Sequence, residues 1–440
     1  MRSGHRTREP GRESYVSQCV VVADDLTGSC DTGHEFALRE YDTRVVVSPQ
    51  TDFPTSQGDV MIVNTESRYA EPEVAAERVR TVLETARANV VLKKVDSTLR
   101  GNVRVEVEAA LQALEFDIAL VAPAYPDNSR VTASGYHLVN SRLITDSSAG
   151  DDPKRPPTHD SLPEFFSASD YPTKHIDIGT VTRGTAAVRA SLESICSAGT
   201  PVIVTCDALT DDHLATVAAA GSGLPEQCLY VGSGGLARHV PVPGTASGAG
   251  GDVDDTRTVV GVSGSVAPET LAQVDRLSQD YRRQLDLEQA VVDPAGAGED
   301  LVSRAATVVD EHGGVLLSSA ETADDVDRAL RAGEQAHIDD ETVRRRVTEA
   351  LAAAAGGLVR NDLAPNLFLT GGTTAIAILD RLDADTLRMT GDAIGPGIPL
   401  ASVVGGVADG ATVITKAGGF GDEQTIINSL RRLGLDNGPA

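Results

Sequence analysis

Six short segments hold residues whose types and spacing suit chemistry on a charged small molecule. In the first, Asp24-Asp25-Leu26-Thr27-Gly28-Ser29-Cys30-Asp31-Thr32-Gly33 follows the apolar run VVVA. Paired aspartates at the carboxyl end of a strand can bind Mg2+ or take a proton from a hydroxyl. They can equally cap the next helix, with Asp25 or Thr27 as N-cap and Asp31 in solvent. In the second, VVLKKV leads into Asp96-Ser97-Thr98-Leu99-Arg100-Gly101-Asn102. Lysine and arginine on one loop suit an anion, and arginine grips a carboxylate through two parallel bonds. Strand geometry turns Lys93 and Lys94 to opposite faces, so at least one of them points away. For Arg100 the rival is a local ion pair with Asp96 or Glu106. In the third, Pro123 and Pro126 set a rigid turn before Arg130. Arg130 is then either a second anion contact or a plain surface arginine.

The other three are glycine turns: Ser263-Gly264-Ser265, Thr370-Gly371-Gly372-Thr373-Thr374 and Lys416-Ala417-Gly418-Gly419-Phe420-Gly421. Glycine lets backbone N–H groups approach a phosphate, hydroxyls add donors, and a following helix N-terminus favours negative charge. One such turn says little, but three in one half of a chain point to a polyphosphate. There is no Gly-x-x-x-x-Gly-Lys-Ser/Thr run. Gly232-Ser233-Gly234-Gly235-Leu236-Ala237 resembles a dinucleotide fingerprint, but the acidic residue expected about 20 positions on falls in a linker, at Asp252 or Asp254. His34 and His137 have no partner at metal-ligand spacing and read as packed or surface residues. No Gly-x-Ser-x-Gly elbow occurs.

The elements that must hold these turns alternate. Expected strands are Gln18–Ala23, Arg44–Val47, Asp59–Asn64, Val90–Val95, Asp117–Ala122, Pro201–Cys206 and Cys228–Val231, with helices such as Pro72–Arg87 and Val103–Leu114 between them. Residues 145–172 break the rhythm and read as a mobile or functional loop. Residues 240–256 are Gly, Ala, Pro and Asp without an apolar face, which is linker composition. A second alternation follows: strand Thr258–Val262, helix Pro268–Leu277, strand Leu287–Val292, helix Asp300–Glu311 and strand Val315–Ser318. Helix Glu341–Leu358, strand Asn366–Thr370, helix Thr374–Leu382, strand Thr412–Lys416 and helix Asp422–Leu433 complete it. The expected fold is α/β, with two α/β domains of mainly parallel sheets and an active-site cleft between them. The expected division is a disordered arm at 1–16, a first domain at 17–240, a linker at 241–257 and a second domain at 258–440.

Composition narrows the function. The chain has 440 residues, 41% of them apolar, enough to bury two cores. Its net charge of −26 argues against nucleic-acid binding. Five lysines stand against 33 arginines, so a lysine beside a glycine turn is conspicuous. Acidic excess with scarce lysine reads as adaptation to strong salt, against the rival of an ordinary acidic enzyme from a GC-rich genome. No run approaches the roughly 18 apolar residues of a membrane span. The first 17 residues lack the apolar core of a secretory signal, and five scattered cysteines form no Cys-x-x-Cys pair. A reduced, cytoplasmic setting is the expectation.

ADDLTGSCDTG, KKVDSTLRGN, PAYPDNSRVTASGYHLVN, DPKRPPTHDS, VGSGGLA, VSGSVAPETLAQV, LTGGTTA and PGIPLASVVGG…TKAGGFG, in this order, resemble the four-carbon acid sugar kinase family from about Cys19 to Leu433. The resemblance implies an N-terminal acid-sugar-binding domain, a C-terminal ATP-binding domain and chemistry in the cleft. It places Asp24, Asp25, Lys94, Asp96, Ser97, Arg100 and Arg130 on the sugar-acid side. It places Ser263, Ser265, Gly371, Gly372, Thr373, Thr374, Lys416, Gly418 and Gly419 on the nucleotide side. Thr373 stands where the family commonly has Asp, and Ala417 where it has Ser.

The expected activity is an ATP- and Mg2+-dependent kinase acting on a hydroxyl of threonate, erythronate or a 3-oxo-tetronate. Arg100 and Arg130 would hold the substrate carboxylate, with Lys94 and Ser97 beside it. Asp24, Asp25 or Asp96 would accept or fix the hydroxyl proton, and Lys416 with the glycine turns would hold the triphosphate. Domain closure would exclude water. No metal ligand set is assigned, and the expected partners are the acid sugar and ATP, with no nucleic acid and no membrane. A homodimer is compatible with the chain. The rivals are a nicotinamide-dependent hydroxy-acid dehydrogenase and a non-catalytic sugar-acid-binding protein.

Overall fold

The protein was analysed as a computed structural model that describes residues 15–48, 58–152, 154–197, 199, 201–225, 227–248, 258–360 and 366–435. Of the disordered arm expected at 1–16, residues 1–14 lie outside the described residues while Tyr15 and Val16 already belong to the first strand, and of the linker expected at 241–257, residues 249–257 lie outside them.

In chain order the first half carries β1 (Tyr15–Ala23), β2 (Thr43–Val46), β3 (Val60–Asn64), β4 (Ala86–Lys94), β5 (Ile118–Ala122), β6 (Arg130–Ala133), β7 (Tyr136–Val139), β8 (Arg142–Leu143), β9 (Thr173–Ile176), β10 (Val202–Cys206) and β11 (Cys228–Gly232). The second carries β12 (Val259–Ser263), β13 (Arg282–Gln284), β14 (Gly314–Ser318), β15 (Asn366–Thr370), β16 (Thr386–Gly395), β17 (Ile398–Val404) and β18 (Thr412–Lys416). Strands β3, β5, β10, β12, β14, β15 and β18 are buried at every position. Their unbroken Val/Ile/Leu-rich runs are what a parallel sheet covered on both faces selects.

The two α/β halves do not keep separate sheets. One 15-stranded sheet runs β13-β14-β12-β15-β18-β17-β16-β2-β3-β1-β4-β11-β5-β10-β9. It is parallel except around the β16–β17 hairpin, whose strand β16 pairs antiparallel with β2 (Leu387 opposite Val45) and joins the halves. Arg388 Nε reinforces the seam by donating to Asp42 Oδ1 at 2.7 Å. Helix Leu26–Ala37 lies over it, with Gly33 against Met389 of β16. Strands β6, β7 and β8 form a separate antiparallel flap.

One expected element changes type. Leu287–Val292, expected as a strand, is a helix: Asp286 caps it by accepting the Gln289 N–H at 3.0 Å. The strand in that region is the polar edge strand β13, whose residues carry no apolar alternation. Among the described residues of the irregular stretch 145–172, the one-turn helix Leu162–Phe165 forms and the 3-10 turn Ile144–Asp146 reaches into its start.

Candidate active site

Parallel pairing sets the ends of β3, β1, β4, β11 and β5 side by side. Ala23 is level with Asn64 and Lys94, Lys94 with Gly232, and Gly232 with Ala122. The loops that follow therefore converge at one edge, as ligand-binding loops do in open parallel sheets.

Asp25 caps helix Leu26–Ala37, accepting the Gly28 N–H at 3.0 Å and the Thr27 hydroxyl at 2.7 Å. Capping does not use up the pair, because Arg68, from the turn after β3, clamps both aspartates. Its Nε and Nη2 reach Asp24 Oδ2 and Oδ1 at 2.7 and 3.0 Å, and its Nη1 and Nη2 reach Asp25 Oδ2 and Oδ1 at 2.8 and 2.7 Å. Burial pushes the Asp24 carboxyl up, but Arg68, Lys94 and Lys93 outweigh it and hold it below the usual range. Arg68 escaped the sequence reading. Its signal was the polar turn Thr65-Glu66-Ser67-Arg68 directly after the apolar run VMIVN.

The two lysines of β4 part as strand geometry requires. Lys93 is fully buried and bonds Glu106 at 2.9 Å and the Lys94 carbonyl at 2.6 Å. Lys94 faces the site, its Nζ 2.7 Å from where a Cβ on Gly28 would stand. Among the described residues no hydrogen bond or salt bridge engages Lys94 Nζ. Asp96 is taken by Arg100, whose Nε reaches Oδ2 at 2.6 Å, and by the Thr98 hydroxyl at 2.6 Å. Burial raises the Asp96 carboxyl, yet Arg100 and Arg68 pull it well below the usual range. Ser97 is held through its carbonyl, which accepts from His137 Nε2 at 2.9 Å, while His137 Nδ1 lies 2.9 Å from the Thr132 hydroxyl. Burial lowers the His137 pKa to about 4, so the ring is neutral near pH 7. Glu66 (φ 46°) and Leu99 (φ 55°) both sit in the left-handed region. That conformation costs about 1–2 kcal/mol per residue and concentrates where backbone shape serves a site.

Arg130 opens β6 and differs from Arg68 and Arg100 in having no carboxylate in salt-bridge range among the described residues. Its Nη1 donates to the Asn128 carbonyl at 2.5 Å, its guanidinium lies 6.0 Å from the Phe420 ring centroid, and its buried Nε has no hydrogen-bond partner among the described residues. Burial lowers its pKa, and Asp96 and Asp31 only partly offset that.

The three glycine turns also meet. Ser263 is level with Thr370, and Thr370 with Lys416, across the adjacent strands β12, β15 and β18. Gly371, at φ 100°, caps helix Gly372–Arg381, and a Cβ there would stand 3.2 Å from the Ser265 nitrogen. Thr374 packs on Gly264 and Ser265 on Gly418, while Gly372 opens onto free space and Thr373 is exposed. The Ser263 and Thr370 hydroxyls are buried there without a hydrogen-bond partner among the described residues. Lys416 Nζ does not project from its turn. It bonds the Thr270 hydroxyl at 2.9 Å and sits 3.1–3.3 Å from the carbonyls of Ala417, Gly418 and Phe420. Burial lowers its pKa to about 8. The lysine thus shapes the glycine turn from beneath.

Between the two sets of loops lies a cavity of about 510 Å3, lined by Asn128, Ser129 and Arg130 on one side and Gly419, Phe420 and Asp422 on the other. The dinucleotide-like run has another use. A Cβ on Gly235 would overlap the Ala124 carbonyl, and one on Gly234 would stand 3.0 Å from Tyr125 and Asp31. Those glycines let helix Gly234–Ala237 pack closely.

Residues 19–240 match the family model of a sugar-binding N-terminal domain, and residues 260–426 that of a nucleotide-binding C-terminal domain. A D-threonate kinase of Salmonella typhimurium is 31% identical over 93% of this chain and 97% of its own length. A D-erythronate kinase of Heliobacterium modesticaldum is 30% identical (92% and 95%), and a 3-oxo-tetronate kinase of Pseudomonas fluorescens 28% identical (94% and 96%). Among solved structures, a Salmonella typhimurium protein superposes with a TM-score of 0.80 at 22% identity, covering 94% of this chain and 99% of that one. A Haemophilus influenzae protein superposes at 0.72 and 21% identity, covering 94% and 100%.

Proposed function

Because the chain belongs to the four-carbon acid sugar kinase family, we propose that it transfers the γ-phosphoryl group of ATP to a hydroxyl of a four-carbon sugar acid of the threonate, erythronate or 3-oxo-tetronate type. The observation that carries this reading is the register of Ser263, Thr370 and Lys416, which stacks three glycine turns into one cradle opposite Arg130.

Phosphoryl transfer is governed by positioning and charge neutralisation. The main-chain amides of Gly371, Gly372, Gly418 and Gly419, with Ser263, Ser265, Thr373 and Thr374, would receive the triphosphate, and Lys416 would hold their turn in shape. Lys94 and Arg130 are the cations best placed to take the substrate carboxylate, since Arg100 is already paired with Asp96. Asp24, Asp25 and Asp96, each gripped by a guanidinium, would orient the loops and the substrate. Ser97 would add a hydroxyl at the rim.

ATP is used as its Mg2+ complex. The cation would be carried in on the phosphates, as is usual for Mg2+ with nucleotide substrates. No helix among the described residues is long and apolar enough to cross a membrane. The acidic, lysine-poor composition supports an enzyme working in strong salt. The test is ADP release in high salt with D-threonate, D-erythronate and the 3-oxo-tetronates. Silence with all of them removes this function.

A further inference from the structure

The aspartates of the sugar-acid loops divide into two kinds. Asp24, Asp25 and Asp96 are locked by arginines at 2.6–3.0 Å. Asp31, the sixth residue of helix Leu26–Ala37, has no hydrogen bond and no salt bridge to its carboxyl among the described residues. It is half-buried where the helix passes the loops after β4, β5 and β11. Its Oδ2 lies 3.0 Å from where a Cβ on Gly234 would stand, so only glycine there leaves room for it. Lys94 and Arg130, which have no carboxylate partner among the described residues, both act on it electrostatically.

We propose that Asp31 is the catalytic base, accepting the proton of the sugar-acid hydroxyl as that oxygen attacks the γ-phosphorus. The inference rests on the kinase reading above. The hydroxyl oxygen forms the new P–O bond, the bond between the γ-phosphorus and the β–γ bridging oxygen breaks, and ADP leaves with its electron pair. The proton passes to Asp31 and later to water.

The surroundings suit a base at neutral pH. Burial, with Glu35 and Asp25 adding to it, raises the Asp31 carboxyl to about 6, while Lys94 and Arg130 restrain the rise. The Tyr125 phenol feels the same carboxylate but stays protonated, since burial pushes its pKa up and its hydroxyl donates to Glu35 at 2.8 Å. A raised carboxyl is a stronger base than a guanidinium-bound one, and it is still ionised at pH 7.

The test uses the full-length enzyme with ATP and its best sugar acid. Asp31→Asn is expected to lower kcat by about 10²–10⁴-fold, the usual share of a general base, with the KM for the acid changed less than about threefold. Asp31→Ala should regain turnover in added formate, which a merely structural aspartate would not allow. In the wild type, kcat/KM should fall on the acid side with a midpoint near 6. An Asp31→Asn enzyme within about threefold of wild-type kcat overturns the assignment. If neither variant keeps the wild-type melting temperature, the wild-type profile decides, and a flat kcat/KM from pH 5 to 8 overturns it. A wild type that releases no ADP with any four-carbon sugar acid fails earlier and takes the kinase reading with it. A turning-over wild type matched by Asp31→Asn removes Asp31 alone.

Discussion

Arg68→Leu is the sharpest test of how the first loop cluster is held. The substitution keeps an apolar stem but deletes a guanidinium that makes four bonds to Asp24 and Asp25. The Asp24 side chain is 2% exposed and that of Asp25 17%, so water cannot replace the lost partner at Asp24. Removing one member of a buried ion pair costs roughly 3–5 kcal/mol. At about 2–4 °C per kcal/mol for a domain of 150–250 residues, the first unfolding transition should drop by roughly 6–20 °C at pH 7. The deficit depends on pH. In the wild type the Asp24 pKa is lowered, so its stabilisation is present above the ordinary value near ~3.9 and is lost only as pH falls through the lowered one. In the variant burial acts without its main counterweight. The Asp24 pKa rises, and the buried charge penalises folding increasingly as pH climbs above the unfolded value. The difference between the two proteins should therefore be widest at pH 7–8 and narrow toward pH 5. Scanning calorimetry of both proteins at pH 5, 6, 7 and 8 measures it. A loss under about 1 kcal/mol at pH 7, or one that does not shrink at pH 5, refutes the clamp as the organiser of this site.

Other expectations are as direct. Arg130→Ala should raise the KM for the sugar acid by about 10–100-fold, the worth of one charge-assisted contact, with melting unchanged because no ion pair is broken; an unaltered KM removes Arg130 from the substrate. Gly372→Ala adds a methyl where the structure has open space, so thermal stability should hold while the KM for ATP rises; unchanged ATP kinetics would mean that the phosphates do not pass there. Gly371→Ala should lose both stability and ATP affinity, since φ 100° is closed to alanine and its Cβ crowds Ser265; calorimetry that finds it as stable as wild type contradicts the cradle's geometry. Turnover and melting temperature should both rise as KCl goes from 0.1 to about 2 M if the charge of −26 needs screening; a monotonic fall in both would leave the acidic composition unexplained by salt.

The sequence alone determined what is local. Apolar runs ending in polar or glycine turns located most strands to within a few residues and named the loops at their carboxyl ends, because burial on both faces writes an unbroken pattern. Strand period alone separated Lys93 from Lys94. It could not reveal the β16–β17 hairpin or its antiparallel pairing with β2, since edge-to-edge pairing leaves no mark in composition. Nor could it foretell which charges find each other. Arg68 and Asp24 are 44 positions apart in the chain, and their pairing follows only from β1 and β3 lying side by side. That pairing, with Arg100 on Asp96, ties up Asp24, Asp25 and Asp96 and leaves Asp31, Lys94 and Arg130 without ion-pair partners among the described residues. The turn that engulfs Lys416 likewise exists only once helix Pro268–Arg276 supplies Thr270 beneath it. Types and spacing limit which chemistries a chain can host, whereas a charge's availability depends on its neighbours in space, and these are set by strand order.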